Sequence, residues 1–284
     1  MNFDNLFVFS QYVSPQHFIS RGAGKLAECK IPPVKNAFIK WFIERYDVNM
    51  SEAKESNPEA YRHFNDFFTR ELKEGAREVD HSAKVLVSPV DGAISQLGTI
   101  KQNQIFQAKG KSFNAVDLLG GKTARAEPFV GGDFATIYLS PKDYHRIHMP
   151  VTGTLKEMIY VPGQLFSVNP VTAENVPNLF ARNERVVAIF ETAFGPMAMV
   201  LVGAMIVASV ETVWAGLVAP MRKQVVDFSY DAEQSITIEK GQEMGRFKLG
   251  STVVLLLPPG VSEFKDAFKA ESPIRMGEAF AKLD

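Results

Sequence analysis

The sequence predicts an α+β fold, with amphipathic N-terminal helices packed on a mostly antiparallel β core. Two observations carry this. Before Gly75, apolar residues recur at helical spacing; after it, short β-branched or apolar runs alternate with glycine and proline. Composition agrees: with 46% hydrophobic and 22% charged residues, a chain of 284 can bury a sizeable core and shows no bias toward disorder. The expected division is a helical region over 1–75 and a β-rich region over 76–284.

In the helical region, Ser14-Pro15 places a cap residue before a proline suited to a first helical position. Asn36 to Tyr46 sets Phe38, Trp41, Phe42 and Tyr46 against Lys40, Glu44 and Arg45, one greasy face and one charged. Asn49-Met50-Ser51-Glu52 reads as a capping box, and Asn57-Pro58 as the start of a helix carrying Tyr61, Phe64, Phe68 and Leu72 on one side. Strands are expected at Val85–Val87, Phe134–Leu139, Val186–Phe190, Ser235–Ile238 and Val253–Leu257. The apolar run Met197–Val210 is 14 residues long, whereas a membrane-spanning helix needs roughly 20. It reads as a buried strand pair or one long bent strand. No internal repeat or low-complexity tract interrupts the pattern.

Several function classes lose support at this stage. A net charge of -1 gives no reason to expect a nucleic-acid partner. A single cysteine, Cys29, excludes an intrachain disulfide or a CxxC metal site, and suits a reducing compartment. Met1–Val13 carries Asp4 where a secretory signal would be basic, and lacks an apolar stretch followed by a small-residue cleavage site. The expectation is a soluble or peripheral chain.

Three motifs could carry chemistry. In Arg246–Val254, Gly250-Ser251 interrupts what reads as strand on both sides. That pair is either a β-bulge or a reactive bond. A serine hydroxyl can attack the preceding carbonyl if glycine allows the backbone geometry and a base takes the proton. Elimination from the resulting ester leaves dehydroalanine, which hydrolyses to a pyruvoyl group. In Tyr138–Pro150, His145 and His148 flank Arg146. They read as a solvated loop, as two of the ligands of an otherwise incomplete zinc set, or as a general base beside a substrate-facing imidazole. Ser88-Pro89-Val90-Asp91-Gly92 reads as a turn whose Asp91 could also orient a histidine.

Together these segments resemble the phosphatidylserine decarboxylase family in its bacterial and mitochondrial form. The likeness runs in order through Phe64–Leu72, Ser88–Gly92, Asp143–Pro150, Tyr160–Asn169, Asn178–Val186, Phe194–Trp214 and Lys240–Thr252. It implies conversion of phosphatidylserine to phosphatidylethanolamine and carbon dioxide through a Schiff base with a pyruvoyl group. Ser251 would be cut from Gly250 and become that group, giving fragments 1–250 and 251–284 that stay together as a heterodimer. His148 would be the base for the cut, Asp91 the carboxylate that orients it, and His145 a residue that handles substrate. No metal is implied, and a homodimer is suggested by the family alone. A bilayer substrate also gives the helices a purpose. Residues 1–50, with Phe3, Leu6, Phe7, Phe9, Phe38, Trp41 and Phe42, are expected to dock on the cytoplasmic face of the inner membrane. Two rivals are a related pyruvoyl decarboxylase and a Ser-His-Asp hydrolase; against the second, Ser251 lies in an LGST tetrad and not in a GxSxG elbow.

Overall fold

The computed structural model describes residues 3–205, 209–220, 223–231, 233–248 and 251–284. The fold is α+β. Three helices come first: α1 (Phe3–Val13), α2 (Gln16–Ala27) and α3 (Pro32–Tyr46), followed by the short α4 (Phe64–Phe68). Ser14-Pro15 separates the first two, but the Ser14 hydroxyl donates back to Ser10 O (2.6 Å) instead of capping α2. α3 begins four residues before the expected Asn36, because Pro32 and Pro33 occupy first-turn positions that need no amide hydrogen. Asn49 and Asn57 open only single 3-10 turns, at Met50–Glu52 and Pro58–Ala60. The rings expected on one long helix pack instead as an aromatic cluster, in which Phe64 meets Phe38 at 4.3 Å and Phe42 at 4.9 Å.

A nine-stranded sheet forms the body, with every strand pair antiparallel. From edge to edge it runs Val226–Ser229, Gly153–Val161, Arg185–Thr192, Gly195–Val202, Ser251–Leu257, Asp133–Leu139, Gly92–Thr99 and Pro273–Ile274, with Thr237–Ile238 also paired to Gly153–Val161. Residues alternate between its faces. Val200, Val202, Val254 and Leu256 join Phe42, Phe64, Phe67 and Phe68 in a core shared with the helices. Leu201, Val253 and Leu255 join Ile147, Met244, Phe247 and Phe280 in a second core on the other side. Small sheets cover that second face. One is ordered Gly216–Ala219, Val210–Thr212, Glu243–Phe247, Arg146–His148; the other Val85–Val87, Ala279–Leu283, Ser262–Phe264.

The apolar run Met197–Val210 is neither a strand pair nor one bent strand. Gly195–Val202 belongs to the large sheet and Val210–Thr212 to a small one, and they do not pair with each other. The same happens at the Gly-Ser motif, where Glu243–Phe247 and Ser251–Leu257 lie in different sheets.

Candidate active site

Two of the three motifs meet at His148, and its strand pairs with the one that precedes the third. Its strand, Arg146–His148, pairs with Glu243–Phe247, so His148 lies opposite Glu243 on the segment leading to Ser251. Its backbone N–H donates to Pro89 O (2.9 Å), which ties in the Ser88–Gly92 segment. Gly92 serves this close packing: a Cβ there would lie 2.3 Å from Tyr138 O. Hence the loop reading of the His145–His148 stretch gives way to a short strand, set by its pairing with residues nearly 100 positions away.

The side chain of His148 is held at both nitrogens. Nδ1 lies 2.8 Å from Gly241 O and Nε2 lies 3.0 Å from the Tyr144 hydroxyl. A carbonyl only accepts, so Nδ1 carries the hydrogen and Nε2 presents its lone pair. Burial lowers the imidazole pKa, partly offset by the Gly241 carbonyl, so the ring is neutral at physiological pH. Burial also raises the Tyr144 phenol pKa, so its hydroxyl stays protonated and can donate to Nε2. A neutral imidazole with an unprotonated Nε2 is the form a general base requires, and in the uncut chain the Tyr144 hydroxyl occupies that lone pair.

Asp91 does not touch His148. Its carboxylate accepts from Arg77 Nε (2.9 and 3.1 Å) and Nη2 (2.5 Å), and from the Met276 N–H (2.9 Å). Arg77 also donates to Glu52 (2.8 Å). Only 6% of Asp91 is exposed, so these partners, and not water, surround its carboxylate. Its negative charge still favours protonation of His148 at longer range. The carbonyl of Gly241 therefore sets the imidazole's tautomer in the uncut chain.

His145 is fully buried and stacks on Phe68, with ring centroids 4.0 Å apart and planes 19° apart. Neither of its nitrogens has a hydrogen-bonding partner. Burial first, and the Arg70 charge second, push its pKa down to about 3, while the Ser140 and Pro141 carbonyls act weakly the other way. It is a neutral ring at any pH near 7. Ser251 heads the central strand opposite Leu139; Leu249, Gly250 and the Ser251 side chain lie outside the described residues. Just past Leu139, Ser140 donates to Asp143 from its N–H (2.6 Å) and its hydroxyl (2.7 Å). Burial raises the Asp143 pKa.

Two cavities adjoin this loop. One of about 440 Å³ is bordered by Ala93, Ile94, Tyr138, Ser140, Val168 and Ala173. The other, of about 330 Å³, is bordered by Arg70, Arg77, Asp91, Tyr144 and Arg275. Gly92, Lys142, Asp143 and Pro273 line both. Among the described residues, no group of three or more His, Cys, Asp or Glu is placed to hold a metal ion. Sequence reasoning passed over Arg70, Arg77, Asp143 and Tyr144. Tyr144 and Asp143 sit inside a motif already singled out, and a Tyr four residues before a His was the available signal. Nothing local marks Arg77, whose role arises from Asp91 and Glu52, 14 residues after it and 25 before it.

Comparison with known proteins identifies the family. The model of the phosphatidylserine decarboxylase family matches residues 64–282, and a second model, described as PSD, matches residues 6–47. Proteins named phosphatidylserine decarboxylase proenzyme are similar along nearly their whole length. That of Marinobacter nauticus is 63% identical over 282 residues, covering 99% of both chains. That of Hahella chejuensis is 61% identical over 281 residues, covering 99% of this chain and 95% of its own. That of Shewanella amazonensis is 60% identical over 285 residues, covering 99% of both. With the site's three motifs and the full length of the fold accounted for, this chain belongs to the phosphatidylserine decarboxylase family.

Proposed function

We propose that this chain is a proenzyme that cuts itself between Gly250 and Ser251 and then decarboxylates phosphatidylserine to phosphatidylethanolamine. The observation that carries the reading is the convergence at His148. Its N–H is on Pro89, its Nδ1 on Gly241, and its strand is paired to the one that leads into Ser251. In the cut, Nε2 takes the Ser251 hydroxyl proton as the oxygen bonds to the Gly250 carbonyl carbon. The carbonyl–nitrogen bond breaks, and the chain becomes an ester with a free amine on residue 251. Loss of the α-proton expels the Gly250 carboxylate and leaves dehydroalanine. Water then replaces its amine, releasing ammonia and leaving a pyruvoyl group. Tyr144 holds the base in place, and Glu243 and, to a lesser extent, Asp91 supply negative charge nearby that favours the imidazolium formed on the way.

The residues present fit a pyruvoyl group at position 251. Its strand is locked into the middle of the sheet, opposite Leu139, and the loop that follows Leu139 borders both cavities. When present, that group supplies a carbonyl electron sink for a substrate amine. The chain's own residues do the rest. His145 has no well-formed hydrogen bond at either nitrogen, only the weak pull of the Ser140 and Pro141 carbonyls, which supports a role toward an incoming headgroup. Asp143, its carboxyl pKa raised by burial and partly brought back by the Ser140 hydrogen bonds, stands beside both cavities.

The cut leaves the small fragment, 251–284, as three strands in two sheets and one further edge strand. Ser251–Leu257 alone lies between Asp133–Leu139 and Gly195–Val202, so the fragments stay together as a heterodimer. The site also has to meet a lipid. No helix among the described residues is long and apolar enough to cross a membrane. Leu6, Phe9, Val13, Phe18, Ile31 and Trp41 are each more than half exposed on α1 to α3 and their connections, which supports peripheral docking on the cytoplasmic face of the inner membrane. Phe42 belongs to the core and Phe38 and Phe7 are half-buried, so the docking face is narrower at α3 than the spacing of aromatic residues suggests and extends onto α2.

Intact-mass measurement tests the reading. Purified protein should give fragments 1–250 and 251–284. Ser251→Ala and His148→Ala should leave one chain, and His145→Ala should be cut yet turn over poorly. A cleaved His148→Ala protein would remove the base assignment.

A further inference from the structure

Arg70 follows α4, between the aromatic cluster and the loop that leads to His145. It is 4% exposed, and its guanidinium has one hydrogen bond, from Nη2 to Lys142 O (3.1 Å). Nε and Nη1 have no partner, and both are shut off from solvent. No carboxylate pairs with it: Asp91 and Glu52 are committed to Arg77, Asp143 to Ser140, and Glu71 to Lys54 and Arg146. The ring of Phe67 lies 5.6 Å from the guanidinium carbon. Beside Arg70 sits His145, whose nitrogens have no well-formed hydrogen bond and feel only the Ser140 and Pro141 carbonyls. The two unpartnered Arg70 nitrogens belong to a residue at the wall of the 330 Å³ cavity, which Arg77, Lys142 and Arg275 line with positive charge and Asp47, Glu52, Asp91 and Asp143 with carboxyl groups, two of them already paired to Arg77. Unsatisfied donors in an interior are costly, and a cationic one most of all.

We infer that Arg70 is the residue that receives the phosphodiester of the phospholipid headgroup. The inference rests on the decarboxylase reading and adds to it a determinant of substrate class. An anion is the ligand that a guanidinium with two free donors selects, and its two-pronged geometry matches a phosphate. The headgroup offers two anions, and the chemistry chooses between them. An arginine paired with the carboxylate would stabilise the charge that must leave as carbon dioxide, raising the barrier. Held by its phosphodiester at Arg70, the headgroup can place its carboxylate against neutral surroundings, of which His145 on Phe68 is one part. The guanidinium is held by Lys142 O through Nη2 alone, and Arg70 is among the residues that line the cavity.

The test compares mature wild type with Arg70→Gln, using dihexanoyl-phosphatidylserine as substrate and dihexanoyl-phosphatidylethanolamine as a ligand that has the phosphodiester but no carboxylate. Intact mass should show the variant cut like wild type. Calorimetric Kd for dihexanoyl-phosphatidylethanolamine and KM for dihexanoyl-phosphatidylserine should both rise about 10- to 100-fold, the range for loss of one or two charge-assisted hydrogen bonds. A raised KM with an unchanged Kd would place Arg70 on the carboxylate and overturn the inference, as would no change in either. Should Arg70→Gln fail to fold, Arg70→Lys keeps the charge but loses the fork, and both constants should still rise about threefold or more. Unchanged constants in that variant overturn the inference equally. A wild-type protein that is uncut, or cut and inactive, would overturn the decarboxylase reading and this subsite together.

Discussion

The buried, neutral state of His145 gives the fold a defined sensitivity to acid. Its pKa is about 3 in the folded chain against an ordinary 6.5, chiefly because burial disfavours the charged ring. Below pH 6.5 the unfolded chain binds a proton that the folded chain refuses. Stability from this group is therefore complete above 6.5 and is lost progressively as pH falls toward 3. At pH 5, about 1.5 below the ordinary value, the loss is about 2 kcal/mol at roughly 1.4 kcal/mol per pH unit. The perturbation that isolates it is His145→Gln, which cannot titrate. Both proteins should carry Ser251→Ala, so that a single chain unfolds. Urea denaturation at pH 7 and pH 5 then gives two differences. Other groups, His148 among them, contribute equally to both proteins and cancel. The stability advantage of the histidine protein over the glutamine variant should shrink by about 2 kcal/mol between pH 7 and pH 5. If the two proteins instead lose stability in parallel over that range, His145 is not a neutral ring buried on Phe68, and the account of the site built on it fails.

Three further outcomes are expected. Arg77→Met strands Asp91, whose side chain is 9% exposed, without its cation. It should cost about 3–5 kcal/mol by denaturation and slow the appearance of the 251–284 fragment on gels. Gly92→Ala drives a methyl to within 2.3 Å of Tyr138 O, so the strand must shift; thermal melts should show a loss of about 1–3 kcal/mol or more. Phe9→Ser with Phe18→Ser removes two large exposed apolar groups from α1 and α2. Co-sedimentation with anionic vesicles should fall several-fold while cleavage proceeds, and undiminished binding would move the docking face elsewhere.

Local patterns account for much of this. Short β-branched or apolar runs bounded by glycine and proline placed the strands at Val85–Val87, Phe134–Leu139, Val186–Phe190 and Val253–Leu257 close to where they lie, because a strand buried on both faces is apolar at consecutive positions. The amphipathic spacing at Phe38, Trp41 and Phe42 identified α3, though the prolines that start it lie further upstream. Motif content pointed to His148, His145, Asp91 and the Gly250-Ser251 bond, and to the family. What those residues touch was another matter. His148 takes its tautomer from Gly241 O, a backbone atom with no signature in residue identity. Asp91 faces Arg77 and not the imidazole, and Arg70 is without a carboxylate because every neighbouring one is paired elsewhere. Such partnerships are long-range pairings across three sheets. A sequence names the titratable groups, but burial and the geometry of their neighbours decide which form each takes and whether it is satisfied.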